Sequence, residues 1–289
     1  PLDDSSVLLL SVSFSTICSS FLHIHAHRLV HTLRKKEKVM PILDTKILFE
    51  KTEHRELAAY TIIQSIFPRF PPEAVQFELL QQGLLQHEEL RLTLDVWQIS
   101  KRLLEELIRL WDGPDIPVAI LPIKNGFVKN GVAYPYGICL YVSPRVTIKE
   151  LHALFTHEYH HICRRRFIME PPTLLDSLLM EGLAEHAVES LYGEYALSSW
   201  TKRYSLDEVL GYWDTHFTQA LHVPGLHEHQ AFLFGDSALN LPPWIGYCTG
   251  YRLVEAFLQK KGPYDVKQLL SMPSLYLLEG AGWKKGVTE

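Results

Sequence analysis

Residues 157–161 read His-Glu-Tyr-His-His, an H-E-x-x-H motif set inside a stretch whose local signals specify helix. Thr147-x-x-Glu150 is a capping box, so a helix is expected from about Ile148 to about Arg165. On a helix, residues i and i+4 lie about 40° apart around the axis and about 6 Å along it, so His157 and His161 leave from one face. Two imidazoles at that separation can share one Zn²⁺ at about 2.0–2.1 Å each. Glu158, beside the first histidine, is placed to act as general base on a water activated at that metal. The same pattern also suits a histidine-rich polar face on a half-buried helix. A catalytic zinc needs a third protein ligand and an open fourth position, so the next element matters.

That element carries a candidate. Pro171-Pro172-Thr173 opens a second helix, with Thr173-x-x-Asp176 as a looser capping box and Gly193 near its C-cap. Glu181 lies on it, in Met180-Glu181-Gly182-Leu183-Ala184-Glu185-His186. The linker from Arg166 to Pro172 is long enough to bring the second helix beside the first. Glu181 is therefore the expected third ligand. Glu185, again at i+4, is placed to hydrogen-bond the free ring nitrogen of a ligand histidine and fix its tautomer. Exposed glutamates on a helix are the plainer alternative. Cys163 should face away from the metal, and Arg164–Arg166 read as cations complementing a helix C-terminus.

The rest of the chain is mostly helical in pattern. Helices are expected over residues 54–66, 72–82, 88–111, from Ser205-x-x-Glu208 onward, and over 246–260. Between them, residues 116–122 and 132–142 are rich in β-branched and aromatic residues and read as two strands, separated by a turn region over 124–131. The second strand, if at a sheet edge, could take up an extended peptide by β-augmentation. Its apolar character on both faces suits an interior strand equally. Residues 1–39 read as a leader or non-native extension. Their apolar run Val7–Leu22 is short for a bilayer span, lacks a positive n-region and has no A-x-A site after it.

Composition narrows the function classes. With 47% hydrophobic residues the chain can bury a sizeable core, and a net charge of −5 argues against a nucleic-acid binder working by bulk electrostatics. The 4 cysteines are scattered and form no CxxC zinc site. Of the 15 histidines, His23, His25, His27 and His31 lie in the leader-like segment. No stable membrane span is expected, and the compartment expected is the cytoplasm.

H-E-x-x-H followed by a glutamate in an E-G-x-A-E context resembles the gluzincins, the zinc metallopeptidases that include thermolysin and the large zinc aminopeptidases. The sequence is most similar to a bacterial family of predicted Zn-dependent proteases catalogued as a domain of unknown function. The likeness lies in His157–His161, Leu174–His186 and Gly246-Tyr247-x-x-Gly250-Tyr251, and extends over most of 40–285. It implies a zincin-like α+β fold, predominantly helical, with a small sheet before the active-site helix. It also implies zinc held by His157, His161 and Glu181, with Glu158 as base. An oxyanion donor is implied at Tyr247, with Tyr251 as fallback and His222, His227 and His229 as a reserve cluster in the thermolysin manner. An edge strand binding substrate backbone belongs to the same likeness.

The expected organisation is one domain over 40–289, with a helical part (40–112), a catalytic core (113–200) and a helical C-terminal part (201–289). The expected activity is zinc-dependent hydrolysis of peptide bonds in a peptide or protein substrate. An endopeptidase is favoured, because no G-x-M-E-N-like segment precedes His157 to hold a substrate amine. The alternatives are a zinc-binding regulatory protein without peptidase activity and an adaptor with a vestigial motif.

Overall fold

The computed structural model describes residues 42–50, 55–66, 89–123 and 126–283. The leader-like segment and the helix expected over 72–82 lie outside the described residues. The chain divides into two compact units, residues 1–159 and 160–289. The first contains helices α1 (Arg55–Ile66) and α2 (Val96–Trp111) and a three-stranded sheet, β1 (Val118–Pro122), β2 (Lys129–Tyr134) and β3 (Gly137–Val142). Helix α3 (Ile148–Arg165) runs unbroken across the division.

Helix α2 is shorter than its apolar periodicity suggests. Asp95 stops it from starting earlier, because its carboxylate accepts from the Gln98 backbone N–H and so serves as N-cap. Leu90, upstream of the cap, instead donates its backbone N–H to the Phe49 carbonyl. Val96, Ser100, Leu103, Leu104, Leu107 and Trp111 form the buried stripe of α2. The 3₁₀ turn Lys46–Phe49 is held to the sheet from Thr45, whose hydroxyl donates to the Ile120 carbonyl and accepts from the Trp97 indole at 2.9 Å.

The sheet corrects two expectations. The run 132–142 is two strands, because Pro135 and Tyr136 form a turn in its middle, and the first of them begins at Lys129, inside the expected turn region. The strand order is β1-β3-β2, with β3 parallel to β1 and antiparallel to β2. β3 is therefore central, and every one of its residues is buried. It is the interior strand its two apolar faces allow, and has no free edge to offer a peptide. Among the described residues, the edge strands are β1, whose outer side carries one bridge at Ile42–Val118, and β2.

Helix α3 starts as its capping box dictates. The Thr147 N–H donates to Glu150 Oε2 at 2.9 Å, and the Glu150 N–H donates to Thr147 Oγ1 at 3.2 Å. Leu151, Phe155 and Tyr159 are buried on one face. Tyr159 also donates its hydroxyl to the Pro114 carbonyl and stacks on Trp111 at 6.0 Å between ring centroids.

The second unit is built around α4 (Leu174–Tyr192), with α5 (Leu206–Tyr212), α6 (Leu226–Phe234), α7 (Ile245–Lys261), α8 (Val266–Ser271) and α9 (Ser274–Ala281) following. Thr173 and Asp176 close a reciprocal capping box on α4, and Gly193 ends it at φ 83°, a conformation few other residues adopt. Most of α4 is buried, so other helices must cover it on several sides. The tightest approach is made by glycines. A Cβ added at Gly182 would stand 2.1 Å from the Gly250 carbonyl oxygen, and one at Gly250 would stand 1.9 Å from that of Leu178. Backbone thus packs on backbone where α4 meets α7. The α+β, predominantly helical architecture is the expected one. No helix among the described residues is long and apolar enough to cross a membrane.

Candidate metal centre

His157, His161 and Glu181 each place one ligand atom within 4.8 Å of the others. The His161 Nε2 to Glu181 Oε2 distance is 3.5 Å. Ligand atoms bound about 2.0–2.2 Å from a tetrahedral zinc lie about 3.3–3.6 Å apart, so this pair already stands at coordination spacing. Two imidazoles and a carboxylate are also the donor set that leaves zinc one open position. His161 is buried, while His157 and Glu181 are half-buried, so the cluster is sheltered yet reachable. The three side chains fit the metal on distance, donor chemistry and access.

The local causes are plain. His157 and His161 share a face of α3 by their spacing. Glu181 stands on α4, and the next residue is Gly182, where α7 lies against the helix backbone. Position 181 is thereby fixed by packing one residue away.

Glu158 is 6% exposed. A Cβ added at Gly131 on β2 would lie 2.6 Å from its Cγ and 2.6 Å from its Oε1. The glycine leaves the space that the glutamate side chain fills. Sequence reasoning did not single out Gly131. The Asn130-Gly131 pair was visible, but its contact lies in a helix residue far along the chain.

Glu185 is 2% exposed, and its carboxylate accepts from the Ser198 backbone N–H at 2.8 Å and from the Ser198 hydroxyl at 3.0 Å. Its structural bonds thus include the loop after α4, and Ser198 is a partner that spacing along α4 could not reveal. Cys163 and His160 are both buried.

The oxyanion-donor candidates occupy different settings. Tyr247 is half-buried and ringed by Trp200, Phe234 and Trp244, at 5.0, 5.3 and 5.0 Å between centroids. Tyr251 is buried and stacked on His186, and donates its hydroxyl to Glu189 Oε2 at 3.1 Å. Burial, with Glu189 close by, pushes the Tyr251 phenol well above its ordinary pKa. His229 is buried with one ring nitrogen on the Ser177 hydroxyl and the other on the Val223 carbonyl, both at 2.7 Å, and burial holds its pKa below the usual imidazole value. His222 and His227 are exposed.

Residues 96–279 match a family model described as "Predicted Zn-dependent protease (DUF2268)". The chain is also similar to the uncharacterized protein YjaZ of Bacillus subtilis (strain 168), at 32% identity over 162 residues, which is 51% of this chain and 60% of that protein. A second relative from the same organism, the uncharacterized protein YjfC, is 28% identical over 152 residues, 48% of this chain and 50% of that one. The chain thus spans little more than half the length of these curated relatives.

Proposed function

Because the chain belongs to this family of predicted Zn-dependent proteases, we propose that it is a zinc peptidase, working as an endopeptidase on extended segments of peptide or protein. The observation that carries the proposal is the convergence of His157, His161 and Glu181, with Glu158 next to His157 along the chain. A zinc ion in that cluster would supply Lewis acidity, lowering the pKa of water and polarising a carbonyl. Glu158 then takes the proton of the attacking water and delivers it to the leaving amine. Tyr247 donates a hydrogen bond to the oxygen on which negative charge develops. Glu185, held by Ser198, supports the arrangement from α4. The β2 edge offers backbone groups to an extended substrate, the part that β3 cannot play.

Metal content provides the direct test. The purified chain should hold one zinc per molecule, lose it to a chelator, and lose it again on Glu181→Ala. With zinc at about a hundred times its dissociation constant, the folded state should gain about 2.7 kcal/mol over the metal-free protein. Unfolding monitored with and without zinc measures this, and equal midpoints refute the site. Stoichiometric zinc with no cleavage of any unstructured protein would leave the regulatory metal-binding reading in its place.

Gly131→Ala separates placement of the base from metal binding. The added methyl must push Glu158 aside or lift β2, so kcat should fall by about tenfold or more while zinc stoichiometry is kept. Unchanged turnover in that variant would show that Glu158 has slack that the reading does not allow.

A further inference from the structure

We propose that helices α8 and α9, which carry none of the converging ligands, form a strap that sets the spacing of His161 and Glu181, with Arg164, Ser274 and Asp176 as its positioning residues. The proposal rests on the zinc-site reading above.

Arg164 stands three residues after His161 on α3 and is 1% exposed. A buried guanidinium is costly unless its N–H groups are satisfied. Here Nη1 donates to the carbonyls of Leu270 at 2.7 Å, Met272 at 2.6 Å and Leu269 at 3.3 Å, while Nε has no hydrogen-bond partner among the described residues, so the guanidinium is held through its two terminal nitrogens. Leu269 and Leu270 lie in the last turn of α8, at the negative end of its dipole, and the Leu269 carbonyl also accepts the Met272 backbone N–H at 3.2 Å. Arg164 therefore caps a different helix from its own, which sequence reasoning missed in reading it as a complement to the end of α3.

The second arm runs to α4. Arg164 Nη2 donates to Ser274 Oγ at 3.3 Å, and Ser274 in turn donates to Asp176 Oδ1. Asp176 uses its other oxygen to close the α4 capping box with Thr173. It lies five residues before Glu181 on the same helix. A directional chain of hydrogen bonds thus joins the ligand helices α3 and α4 through the first residue of α9. Each anchor is within about a turn and a half of the ligand it serves, over helix that is rigid on that scale. Metal sites are sensitive to displacements of about 0.5 Å, so slack in the strap should appear as weaker binding and altered geometry at the metal.

The test uses the whole chain with two substitutions. Ser274→Ala removes the middle link, and Arg164→Lys keeps the charge but loses the planar fork. Zinc affinity is measured by competition with a chromophoric chelator, and ligand geometry from the visible absorption of the cobalt-loaded protein. Zinc affinity should fall by about tenfold in Ser274→Ala and further in Arg164→Lys, within the range seen when supporting groups around metal ligands are removed. The cobalt bands should change in position or intensity in both. Ser274→Thr, which keeps a hydroxyl, should restore wild-type affinity.

Leu104→Ala on α2 serves as a control that lowers stability elsewhere, and it should leave affinity and spectrum unchanged. If Arg164→Lys does not fold, Ser274→Ala decides. Wild-type affinity and spectrum in Ser274→Ala overturn the strap alone. A wild-type chain that takes up neither zinc nor cobalt overturns the metal site and the strap with it.

Discussion

Glu158→Gln should abolish the proposed peptide hydrolysis while zinc stays bound at the wild-type stoichiometry. The substitution is nearly isosteric, so the side chain still fills the space beside Gly131. What it loses is the capacity to take a proton. General-base catalysis contributes about 10²–10⁴ in rate, and in the proposed mechanism one group would serve both water and leaving amine, so a fall of at least about 10³ is expected. That equals about 4 kcal/mol of transition-state stabilisation. Cleavage of an unstructured protein substrate, with metal analysis of the same sample, gives the comparison. Activity within tenfold of wild type in the zinc-loaded variant would sink the mechanism.

Gly250→Ala should be the most damaging small change in the second unit. Two opposing effects act. Alanine is intrinsically better than glycine in a helix by about 1 kcal/mol. Against this, the new Cβ would stand 1.9 Å from the Leu178 carbonyl oxygen, which belongs to backbone and cannot rotate away. The α4 and α7 backbones must separate by more than an ångström, and overpacking of this kind costs about 3 kcal/mol or more. Destabilisation wins. Because Gly182 faces the same contact and adjoins Glu181, the displaced helix should also carry that proposed ligand off its position. Urea unfolding of the metal-free protein measures the first effect and zinc competition the second. A metal-free variant at least as stable as wild type would refute the argument.

The parts of this structure that were legible in the sequence depend on residues close together along the chain. The capping boxes at Thr147 and Thr173, with Gly193 as terminator, set the ends of α3 and α4, because each involves partners three or four residues apart. The i, i+4 relation of His157 and His161 has the same origin. The features that escaped depend on partners far away. Whether β3 is central or at an edge is decided by its pairing with β1 and β2, and nothing in its own residues distinguishes the two. Pro135 did carry a local signal for the turn between β2 and β3, masked by the apolar residues around it. Gly131 looks ordinary in sequence, and Gly182 and Gly250, although they belong to the motifs of the family likeness, show their packing role only through the atoms opposite them. Asp176 was legible as a cap, but its tie to Ser274 was not. Helices α6, α8 and α9 are too short for periodicity to announce them.

For the proposed peptidase, the β2 edge bears on which proteins would be cleaved. On the proposed reading, six residues of strand would read a partner through main-chain groups that every polypeptide possesses, so sequence would contribute little to the encounter. What the edge does demand is a stretch of partner whose own amides and carbonyls are not already engaged. A well-folded domain has few such stretches, whereas an unfolded or nicked chain has many. Selection of a target by such an edge would therefore be a measurement of its folding state: the same polypeptide would be spared when native and cut when denatured.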